Sequence, residues 1–433
     1  MSVSVVPGMG HAGKRHRGRV ALVRNAIALT AALGLMSVSC TQPPPSEPGT
    51  TTTTTTPVPP VPPVPPGLRY FGDSATWNRP VSAFGASKAL DRYAGIFYDA
   101  SGGASIARRG HVEVRFRSYA VPIYDAADAT TTARVFQSVW SQSAQGFGTL
   151  EIGDKVPWNP DWAPGPGTDR AMVVVEPRTG RAWEYWGMGE APSGCVDFLG
   201  PNAQAGFDPA NRAHLCAAGA WSYDNLHTAS DADGTTTAVR GMGINKLAMV
   251  TRADEVAAGV IPHALQLMVT NVLFGGPVCA PARGAAAPGA GSTCGYYLPP
   301  ATRVEWENGP PDICADRPAN TRAERERSVP MGLRLALRIT DAEIDRWLDS
   351  RGYEGPLRRT ARIFAVALRD YGAIVSESAC SGTGIQTDGL INPDAARTWE
   401  QAGIVDDGGD TPAGDLLDGL ITRDRLYVVN APR

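Results

Sequence analysis

Alternation of apolar and polar residues dominates the chain beyond residue 68. In His111–Tyr124, Val112, Val114, Phe116 and Ser118 alternate with Glu113, Arg115, Arg117 and Tyr119. Successive strand side chains point to opposite faces, so this alternation predicts a strand with one buried side. Ala171–Met188 reads as a hairpin, with two β-rich arms around Pro177-Arg178-Thr179-Gly180. Met331–Ile339 sets Leu333, Leu335 and Leu337 against Arg334, Ala336 and Arg338. Gly259–Val272 sets Ile261, His263, Leu265, Leu267 and Val269 on one face.

Helical periods are fewer. Thr251–Gly259 has a Thr cap, an acid three residues on and a closing Gly, which predicts a short capped helix. The same pattern recurs from Thr340 to Gly352, and Thr360–Gly372 carries a stronger apolar helix ending at Gly372. Tyr371–Ser378 then returns to extended structure. Residues 193–216 and 275–295 are Gly/Pro-rich or low in complexity and read as loop insertions. The expected fold is mainly β: a two-sheet, sandwich-like domain with a few peripheral helices and disulfide-pinned loops.

The N-terminus follows a different pattern. Lys14, Arg15, Arg17, Arg19 and Arg24 precede an almost wholly apolar or small stretch, Ala26–Ser39. That order describes a secretory signal. About fourteen residues cannot cross a bilayer, which needs roughly twenty. The segment resembles a bacterial lipoprotein signal, which implies cleavage after residue 39 and lipid on Cys40. Ser39 fits that pattern, and Ser37 departs from its preferred aliphatic residue. Residues 41–67 are rich in Pro and Thr and lack apolar periodicity, so they read as an extended stalk that buries no core. Residues 1–39, 40–67 and 68–433 are therefore taken as signal, stalk and one large extracytoplasmic domain.

Composition narrows the function. The net charge of −3 provides no basic field for nucleic acid. With 48 glycines and 36 prolines among 433 residues, turns and irregular loops outweigh a helical bundle. Beyond Cys40 there are six cysteines: Cys195, Cys216, Cys279, Cys294, Cys314 and Cys380. An even number in an oxidising compartment points to disulfides. Fifteen pairings are open, and the local set Cys195–Cys216, Cys279–Cys294 and Cys314–Cys380 would close loops beside the insertions. No Cys/His spacing fits a metal site, and no cofactor is expected.

Aromatic residues provide the first candidate chemistry. Trp183 and Tyr185 fall on one strand face and Glu184 and Trp186 on the other. An indole beside a carboxylate would make a sugar platform, stacking on the ring and accepting its hydroxyls. Trp183, Trp221 and Tyr223 join Trp186 as candidate substrate contacts, although Trp183 would serve equally as core. His263 is a candidate general base, with His227 as its alternative. Arg240, among small residues, is a candidate for binding an anion. Glu184 would be the first carboxylate of a hydrolase, with Asp224 or Glu176 the second. A lyase would use His263 as base, Tyr223 as acid and Arg240 on a uronate.

The stretches VVVEPRTGRAWEYW, AVRGMGINKLAMVTRADEVAAGVIPHAL, VPMGLRLAL and ALRDYGAIV, in this order, resemble a recurring pattern in exported actinobacterial proteins of unassigned activity. The matching positions are Trp183, Glu184, Trp186, Arg240, His263, Tyr371 and Gly372. Ser376 or Glu377 stands where that pattern has Asp. The resemblance implies a β-rich fold and secretion. The expected function is glycan binding or processing by a protein anchored through Cys40 on the outer face of the cell membrane, with a cell-wall or extracellular glycan as partner. The alternative is a non-catalytic structural or protein-binding lipoprotein.

Overall fold

A six-stranded mixed sheet carries the central part of the fold. Its order is β1 (Glu113–Arg115), β14 (Gly384–Gln386), β9 (Leu265–Val269), β13 (Ala373–Ser378), β12 (Arg334–Leu337) and β15 (Leu426–Val428). A four-stranded sheet runs β2 (Ile123–Asp125), β5 (Met172–Glu176), β6 (Arg181–Trp186), β8 (Gly219–Tyr223). A three-stranded sheet runs β4 (Lys155–Trp158), β3 (Thr131–Gln137), β7 (His214–Ala217), and β10 (Val278–Arg283) pairs with β11 (Gly295–Tyr297). These coordinates are a computed structural model, which describes residues 64–432 except 103–107, 138–149, 151–152, 190–205, 209, 225, 229–239, 284–293, 306–321 and 381. The signal segment, Cys40, the stalk to residue 63, Cys195 and Cys314 lie outside the described residues.

The protein is mainly β and sandwich-like, and the middle layer explains why. On β5 and β6, Val173, Val175 and Ala182 join the hydrophobic cluster of the six-stranded sheet. Their alternates Met172, Val174, Trp183 and Tyr185 join a second cluster with Val135, Val156, Trp158 and Leu215 of the three-stranded sheet. A strand buried on both faces has no solvent side, although its side chains still alternate.

The hairpin forms as the sequence predicts. Val173 pairs with Glu184 and Val174 with Trp183 across β5 and β6. The expected polar face of residues 331–339 reaches water only at Arg338; Arg334 is buried and donates to the carbonyls of Tyr371, Thr76 and Arg79.

Helices flank the sheets: α1 (Arg92–Ser101), α2 (Ala253–Ala257), α3 (Arg322–Glu326), α4 (Asp341–Arg351), α5 (Gly355–Asp370) and α6 (Pro393–Gln401). α5 packs on β12 and α1 on β15. The capping box Thr340/Glu343 starts α4 as expected. The cap of α2 is Arg252 rather than Thr251, because Glu255 accepts from the Arg252 N–H, while Thr251 bridges to Thr387 in the sheet. Cys279–Cys294 is a disulfide with Cα atoms 4.9 Å apart, and Cys216 and Cys380 are also disulfide-bonded. Among the described residues, no helix is long and apolar enough to cross a membrane.

Two glycines separate backbone strain from collision. Gly352 after α4 and Gly372 between α5 and β13 have φ of 64° and 70°. A Cβ at Gly352 meets nothing within 4 Å, whereas one at Gly372 collides with the Leu335 carbonyl oxygen. Gly352→Ala should cost about 1–2 kcal/mol, the usual left-handed penalty. Gly372→Ala should cost at least ~3 kcal/mol, because β12 and β13 must also shift. Urea unfolding of both variants checks this, and equal losses would contradict the packing at Gly372.

Candidate functional site

A bulge in β13 builds the site. Val375 pairs with Leu267 and Glu377 with Met268, so Ser376 is an extra residue in the ladder. Such a bulge re-aims neighbouring side chains. Ser376 and Glu377 consequently both turn toward the loop 240–248. The Ser376 hydroxyl accepts from Gln266 Nε2 at 2.5 Å. Glu377 accepts from Lys246 Nζ at 2.7 and 3.0 Å and pairs with Arg240 at 3.4 Å. Arg240 and Lys246 are both fully buried.

Two further carboxyls complete the cluster. Glu305 accepts from the Ser378 N–H at 2.7 Å. It lies so close to Gly241 that a Cβ there would meet its carboxyl carbon at 2.6 Å and displace it. Asp169 lies 3.8 Å from Lys246 Nζ and accepts a hydrogen bond from the Trp186 side chain. The Asp169 side chain is 28% exposed, and Trp186 and Glu305 are half-buried, so this edge of the cluster reaches solvent.

The two cations are unevenly shared. Burial opposes ionisation of Glu377, but Lys246 and Arg240 outweigh it and hold its pKa below the ordinary range. Burial, reinforced by the charge of Glu377, pushes Glu305 up to about 7. Burial also raises Asp169, against the pull of Lys246. Neighbouring carboxyls with pKa values driven apart are the arrangement used for acid–base work.

Most residues singled out in the sequence lie deeper than expected. The Glu184 platform is corrected, because Glu184 is fully buried. Its carboxyl accepts from the backbone of Lys246 (2.7 Å) and Leu247 (2.9 Å) and from the Tyr223 hydroxyl (2.8 Å). It therefore clamps loop 240–248 to β6, with Tyr223 as its donor. Trp183 and Trp221 are core, whereas Trp186 and Tyr223 stay partly exposed.

His263 belongs to a different buried group. One ring nitrogen faces Glu255 at 3.0 Å and the other the Ala264 carbonyl at 2.9 Å. With both nitrogens engaged, the ring has none left for a substrate. Arg240 shares the Glu377 cluster, but its guanidinium is enclosed by the carbonyls of Asn245, Lys246 and Ala248 and the side chain of Gln386. It orders the loop rather than facing a ligand. His227 is exposed and lies 2.6 Å from the Pro177 carbonyl.

Sequence reasoning missed Asp169, Lys246 and Glu305 and gave Glu377 no role. The one local signal was the acid after Ser376 at the end of a strand. Among the described residues, no group of His, Cys, Asp and Glu is arranged to hold a metal.

The shifts fix a pH dependence. Glu305 binds its proton more tightly in the fold, so its contribution is complete below about 4.5 and is lost as pH rises through about 7. Asp388, buried and raised to about 7, acts in the same sense. Glu377 acts oppositely, losing its contribution as pH falls below 4.5. Thermal stability should therefore peak near pH 5 and decline toward pH 8. Glu305→Gln should recover part of that decline, on the order of 3 kcal/mol at pH 8. Unchanged slopes in scanning calorimetry from pH 5 to 8 would contradict the raised carboxyl. No protein-family model, no curated protein and no solved structure matches this chain.

Proposed function

We propose that this is a lipid-anchored extracytoplasmic protein that binds a glycan and cleaves it at the Glu305–Glu377–Asp169 cluster. One observation carries the reading. A carboxyl held near neutrality lies beside a carboxylate held ionised, at an edge where the half-exposed Trp186 is bonded to Asp169. Glycoside hydrolysis needs such a division of labour. Protonated Glu305 gives its proton to the glycosidic oxygen as the bond to the anomeric carbon breaks. Water adds to that carbon as its proton passes to the ionised carboxylate of Glu377. Trp186 offers a face for the sugar ring. The apolar segment before Cys40 and the Pro/Thr-rich stalk support anchoring outside the cell.

The second reading is an anchored binding or structural protein without catalysis. The mutual saturation of Arg240, Lys246 and Glu377 favours it, since a closed ion network can serve the fold alone.

The test is release of reducing ends from cell-wall and extracellular polysaccharides by the full chain. Glu305→Gln should lower the rate ~10²–10⁴-fold, the usual worth of a general acid. Trp186→Ala should chiefly weaken binding. Binding without any cleavage would leave the second reading standing. No binding by a folded protein would remove the glycan reading altogether.

A further inference from the structure

A second feature lies apart from the carboxyl cluster, where the segment after Trp77 meets the last described residues. Arg79, Ala83, Phe84, Ser87, Leu90 and Pro432 are among the residues that line a surface hollow of about 560 Å³. That is the size of a small-molecule site. Two guanidinium groups flank one ring in its wall. Arg79 lies 4.5 Å from the Phe84 ring centroid and Arg334 5.1 Å from it.

The two arginines differ in what they have left to give. Arg334 is buried and its donors go to the carbonyls of Tyr371, Thr76 and Arg79. Burial lowers its pKa to about 9, and the nearby Arg79 charge pushes the same way, so it stays cationic at neutral pH. Arg79 keeps its side-chain donors: among the described residues its guanidinium makes no hydrogen bond and no ion pair, only the ring contact. No carboxylate among the described residues pairs with either. Arg79 in the wall and the buried Arg334 thus lie on one ring without a counter-charge among the described residues, at a cost that a bound anion would remove.

We propose that this hollow binds an oxyanion, a carboxylate or a phosphate carried on a small ligand, with Arg79 as its bidentate partner. The planar fork of a guanidinium matches two oxygens of such a group. Stacking on Phe84 fixes the fork before the ligand arrives, so little side-chain freedom is lost on binding. Arg334 adds a fixed positive potential from behind the ring. The Ser87 side chain and the apolar walls of Leu90, Ala83 and Pro432 would meet the uncharged part of the ligand. The proposal does not rest on the carboxyl cluster: an uncharged glycan could be cleaved there whether or not this hollow is filled.

The test is calorimetric titration of the full chain with inorganic phosphate, D-glucuronate and, as the uncharged control, D-glucose. Phosphate or glucuronate should bind and glucose should not, and whichever anion binds tighter identifies the oxyanion. Arg79→Gln should weaken that binding at least ~10-fold, the loss of about 1.4 kcal/mol. Arg79→Lys should fall between, because it keeps the charge and loses the fork. Thermal stability of Arg79→Gln should match or slightly exceed the parent, since the side chain holds nothing but the ring and repels Arg334; this separates lost binding from lost fold. Glu305→Gln should leave anion binding unchanged. The proposal is overturned if neither anion binds at millimolar concentration, if glucose binds equally well, or if Arg79→Gln binds as the parent does.

Discussion

The buried carboxylate of Glu377 is the constraint on which the surrounding structure depends. A charge removed from water must be met by opposite charge and hydrogen bonds, or the fold forfeits several kcal/mol. Lys246 and Arg240, both fully buried, meet it. Because both come from the loop 240–248, satisfying Glu377 fixes that loop against β13. Glu184 then fixes the loop's other side to β6 by accepting the backbone N–H groups of Lys246 and Leu247. A chain of polar contacts therefore joins the four-stranded and six-stranded sheets, where apolar packing alone would leave their relative setting less specified.

The same arrangement produces the site's chemistry. Both cations lie against Glu377, so Glu305 receives the repulsion of that carboxylate and, among the described residues, has no ion pair of its own. Its raised pKa follows first from burial and then from the charge of Glu377, with the counter-charges placed elsewhere. The glycine at 241 permits this closeness, and the bulge at Ser376 aims Glu377 into it. Asp169 and Trp186, at the solvent edge, make the buried network accessible to a ligand.

Local structure was legible where the code is local. The hairpin Ala171–Met188, the capping box of α4 and the break at Gly372 each follow from a few adjacent residues. Depth was not legible. Alternation states which residues share a face, but not whether another sheet covers that face, so Glu184 and Arg334 read as surface residues and are buried. The cap of α2 slipped by one residue because Thr251 was claimed by a bridge to Thr387, 136 positions later in sequence. Glu305 was missed for a similar reason. Its significance comes from Gly241 and Ser378, which only the fold brings beside it. His263 had the right chemistry for a base and the wrong surroundings, since Glu255 and a carbonyl occupy both ring nitrogens.

The most direct measurement is the carboxyl titration of Glu305 and Glu377 by carbon NMR on glutamate-labelled protein, with Glu305→Gln used to assign the signal. Glu305 should show a midpoint near 7 and Glu377 one below the ordinary 4.5. Two glutamates titrating together near 4.5 would contradict the uneven sharing of Lys246 and Arg240, and with it the division into acid and anion.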